Sequence, residues 1–142
     1  MRVAWRPALA LLLALPLLAA AAETDALDIP PQRIKAFARA LQAALQQHDT
    51  AQVADLVAYP LRVNTTGKPP RQLGRAALMK QFDQVFVPAV VQQVLQQDPT
   101  ALFQNYQGLM FGSGAVWAHA VCPGAWRPDC PLRIIAVNRP AP

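Results

Sequence analysis

The sequence has little charge and few of the residue types that assemble catalytic or metal sites. Of its 142 residues, 15% are charged, two are histidine and two are cysteine. Glu23 is the sole glutamate, and beyond residue 100 the sole acidic side chain is Asp129. A carboxylate pair for acid–base catalysis is therefore hard to assemble in the C-terminal half. A zinc site needs about four ligands, and with His48 and His119 as the only histidines we predict no metal and no cofactor.

The first 22 residues have the three parts of a secretory signal peptide. Arg2 and Arg6 give a positive start, residues 7–22 are almost all alanine and leucine, and the small residues Ala20–Ala22 directly precede Glu23. The apolar run is interrupted by a proline and falls short of the roughly 20 residues that cross a bilayer. No cysteine stands near the cleavage point, and the two arginines are not adjacent. We therefore predict a periplasmic protein without a stable membrane anchor, whose single domain covers residues 23–142.

The charge of the predicted mature chain is mild. Without Arg2 and Arg6, 11 basic residues face 8 acidic ones, which leaves a net charge of +3. The basic residues are scattered and form no stripe of the kind that binds phosphates. We predict no nucleic-acid partner.

Cys122 and Cys130 are expected to form a disulfide, because an even cysteine count in an exported protein favours one. A redox pair is the alternative, but its usual C-x-x-C spacing is absent. The bond would close a short loop with Trp126 near its middle. A rigid loop that presents tryptophan could anchor an interface, or the side chain could fold back onto the sheet.

The N-terminal half of the domain predicts helices. After Pro30 and Pro31, apolar residues at helical spacing form one stripe: Ile34, Phe37, Ala38, Leu41, Ala44 and Leu45. Asp49 with Gln52 resembles a capping box and starts a short helix, which Tyr59–Pro60 is expected to end.

A short strand over residues 61–64 and a return strand over residues 71–73 follow. The next helix carries Leu78, Phe82 and Phe86, and Pro88 either kinks it or starts a new one.

The C-terminal half predicts strands. Residues 106–111 and 115–121 are apolar without helical spacing, and Gly112-Ser113-Gly114 between them favours a hairpin turn. The two glycines do not indicate a phosphate-binding loop, because such a loop needs a preceding parallel strand and a following helix. Residues 133–138 form the last strand. Helices followed by strands predict an α+β fold with helices on an antiparallel sheet and any pocket between them.

Three segments resemble the NTF2-like superfamily, the α+β cone that includes ketosteroid isomerase and SnoaL-type cyclases, and more narrowly its bacterial periplasmic members. They are Tyr59–Val63 (YPLRV), Phe82–Pro88 (FDQVFVP) and Leu102–Trp117 (LFQNYQGLMFGSGAVW). The resemblance implies N-terminal helices packed on a curved antiparallel sheet. It also implies a homodimer, because dimers through the open sheet face are common in this family. It does not fix the activity, since the fold carries enzymes, ligand binders and interaction modules.

His119 is the most interesting candidate for chemistry. Side chains alternate along a strand, so His119 shares a face with Trp117. If that face lines the cone, the imidazole could act as a general base, with Tyr59 or Tyr106 as donor. If it faces outward, His119 is a surface residue. Asp55 and Asp83 are interpreted as solvated helix residues, and Ser113 as a turn residue with no triad to join.

Four basic residues lie around the first turn: Arg62, Lys68, Arg71 and Arg75. They could dock an anionic partner, although a solvated loop is the more ordinary interpretation.

The favoured hypothesis is a non-enzymatic periplasmic binding module for a small apolar ligand or a protein partner, with inhibitor or immunity proteins as a special case. Its candidate binding residues are Trp117, Trp126, Arg62 and Arg71. The alternative is an isomerase- or cyclase-like enzyme with His119 as general base.

Overall fold

The computed structural model describes residues 27–142, and the predicted signal peptide, residues 1–22, lies outside them. Within the described range, helices pack against a six-stranded sheet that is not closed, which confirms the α+β class. Among these residues no helix combines the length and the apolar character needed to span a membrane. The elements follow in this order: α1 (Pro31–Gln46), α2 (Thr50–Asp55), β1 (Val57–Thr65), β2 (Arg71–Leu73), α3 (Arg75–Lys80), α4 (Phe82–Val85), α5 (Pro88–Gln96), β3 (Phe103–Asn105), β4 (Gly108–Phe111), β5 (Val116–Ala120) and β6 (Leu132–Arg139).

The first two helices form largely as predicted. Pro31 occupies the first turn of α1, where a missing N–H costs nothing, and the whole predicted stripe of α1 is buried. The Asp49 carboxylate accepts a hydrogen bond of 3.1 Å from the backbone N–H of Gln52 and so caps α2. The prediction that Tyr59–Pro60 ends this helix is wrong. The chain turns into β1 at Val57, because Val57 pairs with Ile134 of β6, and Tyr59–Pro60 lies inside that strand.

The third helical region consists of three short helices. Gln81 has φ −119° and ψ 22°, outside the helical range, and separates α3 from α4. Of the two alternatives for Pro88, the second is correct, because α5 begins there. Val87 before it is extended, as expected for a residue that precedes proline.

The sheet is mixed, so the prediction of an antiparallel sheet is wrong in one respect. Its strand order is β2-β1-β6-β5-β4-β3. The predicted hairpin of β4 and β5 is confirmed, with Met110 opposite Trp117. The last strand, β6, is antiparallel to β5 but parallel to β1, because the chain returns to the middle of the sheet instead of its edge. The edge strand β3 was not predicted, since a three-residue strand without β-branched residues gives little signal.

The core fills the space between the helices and one face of the sheet. Val116, Ala118 and Ala120 of β5 point to this side and are buried. Phe37 of α1 meets Phe111 of β4 edge to face, with ring centroids 6.2 Å apart. Such a pair adds about 0.5–1.5 kcal/mol beyond its buried area. The helix side of the sheet is thus occupied by protein side chains.

Candidate binding surface

His119 and Trp117 lie on the face of the sheet that the helices leave uncovered, called here the open face. The buried residues of β5 alternate with these two half-buried ones. Successive side chains of a strand point to opposite faces, so the burial of Ala118 toward the helices places both neighbours outward. Of the two orientations that the sequence left open for His119, the structure shows the outward one.

Trp126 of the disulfide loop folds back onto the open face. Its ring meets the His119 ring edge to face, with centroids 6.3 Å apart, while 47% of the tryptophan remains exposed. Nδ1 of His119 lies 3.1 Å from the carbonyl oxygen of Ala120. A carbonyl oxygen can only accept, so Nδ1 donates in this contact. The imidazole is therefore held against the tryptophan by its own strand.

The disulfide loop is closed by its own covalent bond and is held to the helical layer by Arg33. The predicted bond between Cys122 and Cys130 is present, with Cα atoms 5.3 Å apart. Arg33 of α1 donates from Nη2 to the carbonyl oxygen of Cys130 at 2.7 Å and from Nη1 to that of Pro128. The loop is thus closed by a covalent bond and clamped by a cation from the helical layer.

Removal of the disulfide is expected to destabilise the fold. The double substitution Cys122→Ala with Cys130→Ala should lower the free energy of unfolding by about 2.5 kcal/mol, because the unfolded chain regains the entropy of a short open loop. Urea unfolding followed by circular dichroism measures the change. The wild type in excess dithiothreitol is the control and should match the double variant. A double variant as stable as the oxidised protein would show that the Arg33 clamp alone holds the loop.

A row of side chains crosses the open face from one sheet edge toward the other. The register gives the row in order as Phe103, Met110, Trp117, Ala136 and Arg62. Phe103 is 53% exposed at one end, and Arg62 is exposed at the other. The row therefore combines exposed aromatic surface with a guanidinium group.

A chain of hydrogen bonds runs beside the arginine end of this row. Arg62 Nε donates to Asn64 Oδ1 at 3.0 Å, and Asn64 Nδ2 donates to Asn138 Oδ1 at 2.6 Å. Asn138 Nδ2 donates to the carbonyl oxygen of Gly114 at 2.7 Å. These contacts give one polar side of a recess of about 270 Å³ lined by Arg62, Asn64, Gln107, Trp117, Ile135, Ala136 and Asn138.

The strands carry positive charge and no negative charge. Their sequences contain four arginines, at positions 62, 71, 133 and 139, and no aspartate or glutamate. Two carboxylates of the helical layer have partners within it: Asp55 pairs with Arg75 at 2.6 Å, and Asp83 Oδ1 lies 2.9 Å from Nε2 of His48. Both aspartates lie on the surface, as predicted for solvated helix residues. Of the four arginines, Arg71 and Arg139 reach the helical layer, so the positive charge of the open face comes from Arg62 and Arg133.

Several predicted site residues do not join the open face. Arg71 donates to Gln81 at the end of α3 and so points to the helical layer. The Tyr59 hydroxyl donates to the carbonyl oxygen of Ala54 at 2.7 Å, and burial raises its pKa. Tyr106 is 80% exposed at the tip between β3 and β4. Neither tyrosine is hydrogen-bonded to His119 in the described part of the chain.

A second recess, of about 190 Å³, opens between α1 and the segment before β3. Pro31, Lys35, Thr100 and Gln104 are among its lining residues. Nearby, Asp98 accepts hydrogen bonds from the N–H and hydroxyl of Thr100, which lower the pKa of its carboxyl group. This recess shares no lining residue with the recess beside Trp117 and Arg62. The open face is the better candidate because exposed aromatic groups and unopposed cations converge there.

Sequence reasoning missed Asn64, Asn138 and Phe103 as members of this surface. The alternation of Asn64 with the apolar Val63 indicates that the two side chains lie on opposite faces of the strand. It does not indicate the hydrogen-bond partner of Asn64, because Asn138 is 74 residues away. Among the described residues there is no group of three or more histidine, cysteine or acidic side chains that could hold a metal ion. No family model, curated protein or solved structure matches the chain.

Proposed function

We propose that this chain is an exported, NTF2-like binding module that docks a protein partner on its open face. The observation that carries the proposal is the joint exposure of aromatic side chains and arginines on a sheet face that lacks carboxylates. Contiguous apolar surface of this kind marks interaction sites. Tryptophan and arginine are the residues that most often dominate binding energy at interfaces.

The NTF2-like cone and the periplasmic location belong to this proposal. Support for the cone comes from the helix layer on an open sheet and from the three resembling segments, which include β4 and much of β1. Support for export comes from the predicted signal peptide and the disulfide, a bond that persists in oxidising compartments.

The charge of the open face indicates what kind of protein would bind. Arg62 and Arg133 bring positive charge to it, so a complementary surface carries carboxylates among apolar side chains. A symmetric homodimer would place the same patch against itself and bring like charges together. We therefore favour a different protein, such as an exported hydrolase or toxin that this module would inhibit, over a second copy.

A small apolar ligand within the cone is less well supported. The side chains between helices and sheet are buried core residues. Catalysis by His119 is also not what we propose, since its ring packs on Trp126 and neither candidate tyrosine is hydrogen-bonded to it.

The proposal predicts that tryptophan truncation weakens the complex. Trp117→Ala and Trp126→Ala should each reduce affinity for the partner by at least about tenfold, as hot-spot residues do. Native mass spectrometry of protein purified from its own periplasm identifies the retained partner, and a titration with that partner gives the affinity. Leu95→Ala is the matched control, because Leu95 is an exposed apolar residue of α5 in the helical layer.

The outcomes separate the alternatives. A different protein that is retained by Leu95→Ala and lost by both tryptophan variants supports the docking surface. A complex that both tryptophan variants retain would place the interface elsewhere. A dimer of this chain alone, sensitive to Trp117→Ala, would replace the proposed partner with a second copy.

A further inference from the structure

The recess on the open face has a shape set by one small residue between two large ones. Ala136 lies in β6 directly between Trp117 of β5 and Arg62 of β1. Neighbouring strands are about 4.8 Å apart, so the two large side chains rise about 10 Å apart on either side of a methyl group. The register shift next to Ala136 brings Ile135 to the same recess. The result is a pit with an indole wall and a guanidinium wall.

The hydrogen-bond chain beside the pit determines the orientation of the two asparagine amides. The Gly114 carbonyl can only accept, so the Asn138 amide must turn its nitrogen toward it and its oxygen toward Asn64. Asn64 must then offer its own oxygen to Nε of Arg62. One orientation satisfies every link, and it uses both amide oxygens. The terminal guanidinium nitrogens of Arg62 take no part in the chain of bonds.

The chain leaves each asparagine one N–H and one oxygen lone pair, so the excess of donors in the recess comes from the terminal N–H groups of Arg62. Its charged lining residue is Arg62, and no carboxylate lines it. The matching ligand group is planar, anionic and an acceptor, which describes a carboxylate that meets the guanidinium end on, through its two terminal nitrogens, because Nε already donates to Asn64.

We infer that this recess is the specificity pocket of the open face and takes an aspartate or glutamate side chain of the partner, its carboxylate on Arg62 and its stem against Trp117. The inference rests on the proposed docking function but concerns a separate property. Arg62 and Asn64 would select for a negatively charged group, and the small side chain of Ala136 would leave room for the partner's side chain.

Two blocked tripeptides test the inference on the isolated protein. Ac-Leu-Glu-Leu-NH₂ carries one carboxylate, and Ac-Leu-Gln-Leu-NH₂ has nearly the same shape without the charge. We expect the glutamate peptide to bind about tenfold more tightly, the range of a charge-assisted hydrogen bond. Nuclear magnetic resonance follows the indole N–H of Trp117 and the side-chain amides of Asn64 and Asn138 during titration. Sodium acetate in a third titration tests whether a free carboxylate suffices.

Three variants locate the site. Arg62→Gln should abolish the preference for the glutamate peptide, whereas Arg71→Gln removes the same charge from the other side of the sheet and should leave it intact. Ala136→Leu changes no charge but fills the pit, and should block both peptides. Circular dichroism of each variant checks that the sheet is retained.

Specific results would overturn the inference. Equal binding of the two peptides, or an unchanged preference in Arg62→Gln, would remove the carboxylate from the pocket. Acetate that matches the affinity of the glutamate peptide would show that the ligand is a free ion and not a side chain. Failure of the peptides together with a Trp117-dependent protein complex would overturn the pocket alone, whereas peptide binding without any complex would overturn only the proposed function.

Discussion

Gly108→Ala should lower the free energy of unfolding by about 4 kcal/mol, from backbone strain and overpacking of about 1–3 kcal/mol each. Gly108 begins β4 with φ +134°, a conformation that side chains rarely adopt. A methyl group there would also overlap the backbone carbonyl oxygen of Ala118 in β5, and it would touch the His119 ring. Urea unfolding monitored by circular dichroism measures the loss.

Gly124→Ala is the matched control for this substitution. A Cβ at Gly124 meets no atom within 4 Å, so its stability should change by less than about 0.5 kcal/mol. A loss below about 1 kcal/mol for Gly108→Ala would show that β4 can move away from β5 at this point. The same movement would displace His119 and loosen the surface on which Trp126 rests.

Phe111→Ala should destabilise the protein by about 4 kcal/mol, because it removes a fully buried ring and leaves a cavity that the core fills only in part. Phe111 is 0% exposed and packs edge to face on Phe37 of α1. The substitution thus breaks this contact between the sheet and α1. Thermal and urea unfolding of the variant measure the effect.

Phe103→Ala makes the same chemical change on the opposite face and serves as its control. Phe103 is 53% exposed, so its loss should cost less than about 1 kcal/mol of stability. It should still weaken the proposed protein complex, because Phe103 ends the row on the open face. Equal destabilisation by the two variants would contradict the assignment of core and open face.

The sequence predicted those parts of the fold that leave a local pattern. The stripe of α1 has helical period, the cap of α2 needs an aspartate three residues before Gln52, and the β4–β5 hairpin has glycines at its turn. The disulfide followed from two cysteines in a chain with export features. Apart from the export features, each of these signals lies within a segment of at most 16 residues.

What the sequence could not predict depends on pairing between distant segments. The parallel contact of β1 with β6 joins Val63 to Val137, and no local pattern marks such a partner. Alternation showed that Trp117 and His119 share a face but not which face is covered. Hydrophobicity alone favours the tryptophan inside, yet the small side chains of Ala118 and Ala120 face the helices. Asn138 likewise can be recognised as a site residue only from the structure, because the pairing of β1 with β6 places Asn64 beside it.

The central position of the last strand has a consequence for how the chain acquires its structure. β6 stands third in the sheet and joins the β2–β1 pair to the β5–β4–β3 group. Until residues 132–139 are available, the two halves of the sheet have no common neighbour, and contacts of long sequence separation form slowly. Under the export proposed above, the nascent chain would therefore reach the membrane incompletely folded. A sheet whose two halves are joined only by β6 would suit the proposed export, in which translocation precedes folding.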